Sequence, residues 1–122
     1  MIGYVTIGTN DLGRAEKFYD ELLTELGGKR LMSNDRMRFY GNGPGKPMFV
    51  VCTPADGKKA TVGNGVMVAL SADSKETVDR VYKKAISLGA SDEGPPGQRG
   101  AKFYGGYFRD LDGNKFVAFV MG

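Results

Sequence analysis

With 122 residues, 41% of them hydrophobic and 25% charged, the chain has the size and composition of one compact folded domain rather than of a disordered segment. The net charge is only +3, with Lys and Arg dispersed along the chain, which argues against the basic stripe of a nucleic-acid-binding protein. The chain contains no histidine, which excludes Ser-His-Asp catalysis, Cys-His catalysis and every metal site that needs histidine. It contains a single cysteine, which excludes an internal disulfide.

Membrane insertion and export are not expected either. No apolar run approaches the ~20 residues that span a bilayer, and the first residues do not resemble a signal peptide. The sequence therefore predicts a cytoplasmic protein with no membrane partner.

The first half of the chain predicts one strand, one helix and three more strands. Residues 2–9 alternate like a strand, and apolar residues then recur at spacings of three and four from Leu12 to Leu26, which is typical of an amphipathic helix. Asn10 or Asp11 is the predicted N-cap of this helix. The three strands that follow are predicted at Lys29–Met32, Arg36–Tyr40 and Pro47–Thr53.

The second half repeats this order after a polar connector, Pro54–Asn64. A strand is predicted at Gly65–Ser71, and Asp73 with Glu76 indicates a capped helix start. A weak strand near Ser91–Glu93, a Gly/Pro-rich segment and a closing hairpin follow. The hairpin pairs Lys102–Arg109 with Lys115–Met121 around Asp112-Gly113-Asn114.

The two predicted helices also match residue by residue. Five apolar positions of the first helix, shifted by 63 residues, fall on the apolar face of the second: Val78, Val81, Tyr82, Ala85 and Ile86. The matching order of the flanking strands favours a true duplication over chance. We therefore predict an α+β fold with two tandem βαβββ modules, about 1–58 and 59–122, which form a cupped mixed sheet within a single domain.

Three motifs give this chain a family resemblance. YVTIGTNDLGRAEKFY (4–19), GNGVMVALSADS (63–74) and FRDLDGNKF (108–116) resemble, in this order, motifs of the glyoxalase/bleomycin-resistance/extradiol-dioxygenase superfamily, also called vicinal oxygen chelate proteins. Leu111 stands where proline is usual in the third motif. The resemblance covers nearly the whole chain and implies the fold more specifically than the activity.

The resemblance also implies where a metal ion would be held. The family's ligand positions correspond to Tyr4, to Met67 (or Val66, if the match slips by one) and to Val117, with a further acid near Val51 or Cys52. None of these side chains replaces imidazole or carboxylate around a divalent cation. The expectation is a member with no metal site and no cofactor.

Strand alternation predicts a mostly apolar and aromatic lining for the concave side of the sheet. The predicted ligand-binding residues are Tyr4, Thr6, Arg38, Tyr40, Cys52, Met67, Tyr104, Val117 and Phe119. Arg38 could equally be an outer-face residue and Cys52 a buried apolar one. The segment GPPGQRG, 94–100, could cover such a pocket or simply connect two strands.

Three functions remain open from the sequence. The leading hypothesis is binding of a small neutral or anionic molecule without a metal. The alternative is a metal-free lyase or isomerase that uses tyrosine and arginine, which requires a cation to lower a tyrosine pKa. The third is a dimeric interaction module without a ligand. The resemblance implies a homodimer, although a chain with both modules could close one sheet alone.

Overall fold

The computed structural model describes all 122 residues and confirms an α+β fold in which the order βαβββ occurs twice. The chain divides into two compact units, residues 1–62 and 63–122. That the two units together make a single domain stays a prediction. No helix is long and apolar enough to cross a membrane.

The first unit carries a four-stranded mixed sheet with strand order β1-β4-β3-β2, in which only β1 and β4 run parallel. Its elements are β1 (Tyr4–Gly8), α1 (Leu12–Leu22) with a closing 3₁₀ turn (Leu23–Leu26), β2 (Lys29–Ser33), β3 (Met37–Gly41) and β4 (Met48–Cys52).

Helix α1 begins as predicted, because Asp11 is its N-cap and accepts a hydrogen bond from the backbone N–H of Arg14. Its buried residues, Ala15, Phe18, Tyr19 and Leu22, are four of the five positions that match the second helix in the sequence. They pack against one face of the sheet, where the rings of Tyr19 and Phe49 lie 4.9 Å apart.

The second unit repeats this architecture with strand order β5-β8-β7-β6 and a parallel β5–β8 pair. Its elements are β5 (Val68–Ser71), α2 (Lys75–Ser87), β6 (Ser91–Gln98), β7 (Phe103–Arg109) and β8 (Lys115–Met121). Helix α2 starts one residue later than predicted. Ser74, not Asp73, is the N-cap, while Asp73 accepts a hydrogen bond from the Thr77 hydroxyl.

Strand β6 corrects the prediction for residues 94–100. Most of that segment is strand, because β6 runs to Gln98 instead of ending at Glu93. Its pairing with β7 shifts register twice, and Pro95 and Pro96 are tolerated because β6 lies at the edge of the sheet. The segment is therefore part of the sheet and does not form a separate lid.

Two adjacent glycines let β7 pack closely on both of its faces. A side chain at Gly106 would lie 3.0 Å from Cγ of Pro96 and 3.3 Å from Cδ1 of Tyr82. A side chain at Gly105 would lie 2.8 Å from the Phe103 ring and 3.1 Å from Val117. Gly106 therefore allows Pro96 of β6 and Tyr82 of α2 to pack on one face of β7. Gly105 allows the Phe103 ring to pack on the other face.

The closing hairpin is held by Asp110, a buried residue of the third motif. Its carboxylate accepts hydrogen bonds from the backbone N–H groups of Asp112 and Asn114, and from the Asn114 side-chain amide. These bonds satisfy the turn's backbone donors. The motif that carries the family resemblance thus has a structural role in this chain.

Candidate functional site

Each unit has one sheet face that its own helix does not cover, and these helix-free faces are where the predicted ligand positions must be judged. In the first unit, the contact of Tyr19 with Phe49 fixes the side of β4 that faces α1. Side chains alternate along a strand, so Met48, Val50 and Cys52 point to the other side. The same reasoning applies to the second unit, where Tyr104 bonds to Asp79 of α2.

The helix-free face of the first unit is built from aromatic, thioether and small side chains. The Tyr4 ring contacts the Phe39 ring edge-on at 5.6 Å and remains 52% exposed. Thr6 pairs with Val50 and shares this face, as alternation from Tyr4 predicts. Cys52 also lies here, buried and without a disulfide partner.

The helix-free face of the second unit contains Val117, Phe119, Phe103 and Tyr107. Val117 pairs with Tyr107 across the β7–β8 ladder and is 1% exposed. The Phe103 and Phe119 rings stack in parallel with their centroids 5.3 Å apart. Met67, 43% exposed, lies one residue before the start of β5.

The structure corrects the predicted face of Arg38 and Tyr40. Alternation rightly groups these two residues, but they face helix α1, opposite to Tyr4. The Arg38 Nε donates to Glu16 Oε1 at 2.6 Å, and the Tyr40 hydroxyl donates to Asp20 Oδ1 at 2.8 Å. They therefore do not lie beside Tyr4 and Thr6 in one lining.

Arg38 belongs to a charged network that joins α1 to strands β2 and β3. Glu16 also pairs with Arg30 at 2.6 Å, and Arg30 reaches Asp20 at 3.2 Å. The hydrogen bond from Arg38, followed by the charges of Arg30 and Arg38, holds the pKa of Glu16 below its usual value against the opposing effect of burial. The guanidinium groups of Arg30 and Arg38 are thus already engaged by carboxylates.

Tyr104 is the second correction. The β7–β8 ladder runs without a bulge, so Tyr104 and Tyr107 point to opposite faces and Tyr107 is the one beside Val117. The Tyr104 hydroxyl donates to Asp79 at 2.7 Å, and the Lys75 ammonium lies 5.4 Å from its ring centroid. Only the unbroken ladder decides which of the two tyrosines lies on the helix-free face.

The tyrosines that contact carboxylates are poor candidates for acid–base catalysis. Burial, and then the hydrogen bond to Asp20, raise the pKa of Tyr40 well above its usual value. The hydrogen bond to Asp79, and then burial, raise the pKa of Tyr104. A tyrosine general base needs a lowered pKa, so these two residues do not support the lyase or isomerase hypothesis.

Val50 is a position that sequence reasoning missed. In the first unit Thr6 pairs with Val50, and in the second unit Ala69, which is 63 residues after Thr6, pairs with Val117. Val50 is thus the counterpart of Val117, whereas Val51 faces α1. Both counterparts are almost fully buried, with Val50 0% exposed. Strand register, which the sequence does not display, is what identifies this pair.

The side chains at the implied ligand positions do not fit a metal ion. Phenol, thioether and isopropyl groups occupy them, and Val51 also faces the helix. Nowhere in the structure do three or more Asp, Glu or Cys residues come close enough together to hold a cation. The chemistry of these faces is therefore that of apolar contact, hydroxyl hydrogen bonding and, near Tyr107, positive charge.

A family model described as the Glyoxalase/Bleomycin resistance protein/Dioxygenase superfamily matches residues 1–118. The chain belongs to this superfamily. A crystal structure of a glyoxalase/bleomycin resistance protein from Albidiferax ferrireducens is 39% identical, with a TM-score of 0.92 over 100% of this chain and 99% of that one.

More distant solved structures share the fold of this superfamily member. A glyoxalase/bleomycin resistance protein/dioxygenase family enzyme from Burkholderia phytofirmans is 21% identical, with a TM-score of 0.78 and 98% of each chain covered. A hypothetical protein from S. aureus is 24% identical, with a TM-score of 0.74 over 98% of this chain and 92% of that one. No curated protein matches this sequence.

Proposed function

We propose that this superfamily member binds a small organic molecule on its helix-free sheet faces and does so without a bound metal ion. The single observation that carries the proposal is the kind of side chain at the implied metal-ligand positions. Val117, on the helix-free face of β8, replaces the carboxylate that the family resemblance implies, and an isopropyl group has no electron pair to offer a cation.

The remaining positions support the same proposal. Tyr4 offers a phenol and Met67 a thioether, and both are substantially exposed. A ring and a flexible thioether are suited to contact with an organic ligand, because they supply apolar area and adapt to its shape. Cys52, Thr6 and Phe119 are proposed as further lining residues of these faces.

The activity that follows is binding itself, by sequestration or sensing, in a cytoplasmic protein that needs no cofactor. The lyase or isomerase alternative gains no support from Arg38, which is paired with Glu16, or from Tyr40 and Tyr104, whose pKa values are raised.

Isothermal titration of the purified protein with Zn²⁺, Ni²⁺, Mn²⁺ and Fe²⁺ tests the absence of a metal site. We expect no stoichiometric binding at micromolar concentrations, because hard and borderline cations need several oxygen or nitrogen donors. Cys52→Ala is the matched control, since any residual Zn²⁺ signal that it abolishes belongs to the lone thiol. Stoichiometric, micromolar binding that survives in Cys52→Ala would overturn the proposal.

A further inference from the structure

Two cationic side chains lie against one phenol ring on the helix-free face of the second unit. The Arg99 guanidinium carbon and the Lys115 ammonium nitrogen are each 5.6 Å from the ring centroid of Tyr107. Both distances are within the range of cation–π attraction, which holds the two charges near the ring. We call Arg99, Tyr107 and Lys115 the Tyr107 cluster.

Neither cation of the Tyr107 cluster has a carboxylate partner. Arg99 donates one hydrogen bond, from Nη2 to the Pro95 carbonyl oxygen at 2.6 Å, and Lys115 forms no salt bridge. The acid nearest in the ladder, Glu93, is already paired with Arg109 at 3.0 Å. Two positive charges on one sheet face are therefore left without a counterion from this unit.

Apolar and aromatic groups continue from the Tyr107 cluster along the same face. Val117 pairs with Tyr107, and Phe119 follows it two residues later on β8. The stacked pair of Phe103 and Phe119 lies beyond the bare backbone of Gly105. The face thus changes from cationic near the closing hairpin to aromatic at the other end of β7.

We infer that this face binds a planar organic anion, such as an aromatic carboxylate, with the carboxylate at the Tyr107 cluster and the ring on the aromatic end. The inference rests on the proposed function, to which it adds the ligand class. A carboxylate supplies the counter-charge that the cluster lacks, and arginine can bind it through two parallel N–H groups. Inorganic phosphate would satisfy the charges but would leave the aromatic end of the face unused.

The test is isothermal titration of the full chain with 1-naphthoate, its neutral isostere 1-naphthamide and inorganic phosphate. We expect naphthoate to bind about tenfold or more tightly than either of the others, because only naphthoate offers both charge and ring. Equal binding of naphthoate and naphthamide would overturn the anion inference while leaving the proposed function standing. If phosphate bound as tightly as naphthoate, the claim that the ligand's ring contacts the aromatic end of the face would be wrong.

Charge-removing variants locate the site. Lys115→Met and Arg99→Met should each weaken naphthoate binding by about fivefold or more, whereas naphthamide binding should not change. Lys75→Met is the matched control, because it removes a cation at a similar distance from Tyr104, on the opposite side of the same strand. A loss in Lys75→Met as large as in Lys115→Met would overturn the assignment to this face. No binding of naphthoate would overturn the inference, whereas the proposed function is tested separately by the titration with cations.

Discussion

At the scale of single residues, the sheet faces are distinguished by which charges have partners. On the α1 side of the first unit, Glu16 joins Arg30 and Arg38 and keeps a lowered pKa. On the helix-free side of the second unit, Arg99 and Lys115 lack such partners. The paired charges on the α1 side link helix to sheet. The unpaired charges on the helix-free side of the second unit are those to which the proposed anionic ligand would bind.

The Glu16 network should make stability depend on pH in the acid range. A pKa lowered by folding contributes stability that is complete above the unfolded-state value of about 4.5 and is lost as pH falls through the folded-state value. The urea midpoint should therefore fall below about pH 4.5, and Glu16→Gln should flatten that fall. Because the network is partly exposed, added salt should reduce the effect as well.

The control for this measurement is Glu76→Gln, which removes an exposed glutamate that forms no salt bridge. Its acid-range profile should follow that of the unmodified protein. An unchanged slope in Glu16→Gln would show that the lowered pKa is not a source of stability.

At the scale of secondary structure elements, the sequence predicted which helices and strands form, and in what order, better than it predicted which face of a strand a helix covers. Apolar spacing located both helices, and Asp11 was a correct N-cap because its side chain bonds locally. Alternation correctly grouped Arg38 with Tyr40, but it cannot tell which side of a strand a helix will cover. The sequence did contain a signal for the side on which the helix packs. Glu16 and Asp20 lie four residues apart on one flank of α1, where they can pair with arginines of the strands that the helix crosses.

Strand β6 was under-predicted for a different reason. Glycine and proline favour turns locally, and only the position at a sheet edge allows Pro95 and Pro96 to be part of a strand. Edge position is a property of the assembled sheet, so local sequence patterns do not contain it. The face of Tyr107 likewise depended on whether Gly105-Gly106 formed a bulge, which the pairing register decides.

Gly106 is a position in β7 where close packing should make substitution costly. In Gly106→Ala the new Cβ would meet Pro96 at 3.0 Å and Tyr82 at 3.3 Å, so β6 or α2 would have to shift. We expect a loss of about 1–3 kcal/mol in the free energy of unfolding, measured by urea denaturation. Gly3→Ala, where nothing lies within 4 Å, is the control and should change stability by less than about 0.5 kcal/mol. Equal stability of the two variants would contradict the packing argument.

At the scale of the whole molecule, the chain consists of two units whose boundary, between residues 62 and 63, lies within the connector 54–64. Asn10 holds residue 60 through two hydrogen bonds, from its Nδ2 to the Ala60 carbonyl at 3.1 Å and from the Ala60 N–H to its Oδ1 at 2.7 Å. The residues that follow, 61–67, are all exposed. The part of the connector that follows Ala60 should therefore be open to proteases.

Limited digestion with elastase, which cleaves after small aliphatic residues, tests this arrangement. The first cut should fall after Val62 or Val66 and give two fragments of nearly equal mass. In Asn10→Ala, which releases Ala60, cleavage after Ala60 should become comparably fast. First cleavage within either sheet would contradict the two-unit description. Light scattering of the intact protein would test the predicted homodimer in the same preparation.

The matched register of Val50 and Val117 has an evolutionary consequence. If the two units arose by the predicted duplication, the two valines occupy positions that were once equivalent, because duplication copies a chain together with its strand pairing. Val50 now pairs with Thr6 and Phe39, whereas Val117 pairs with Tyr107, the ring that Lys115 and Arg99 flank. An acidic side chain acquired by mutation would find compensating charge beside position 117 and none among the direct neighbours of position 50. A carboxylate should thus be gained more readily at position 117 than at position 50.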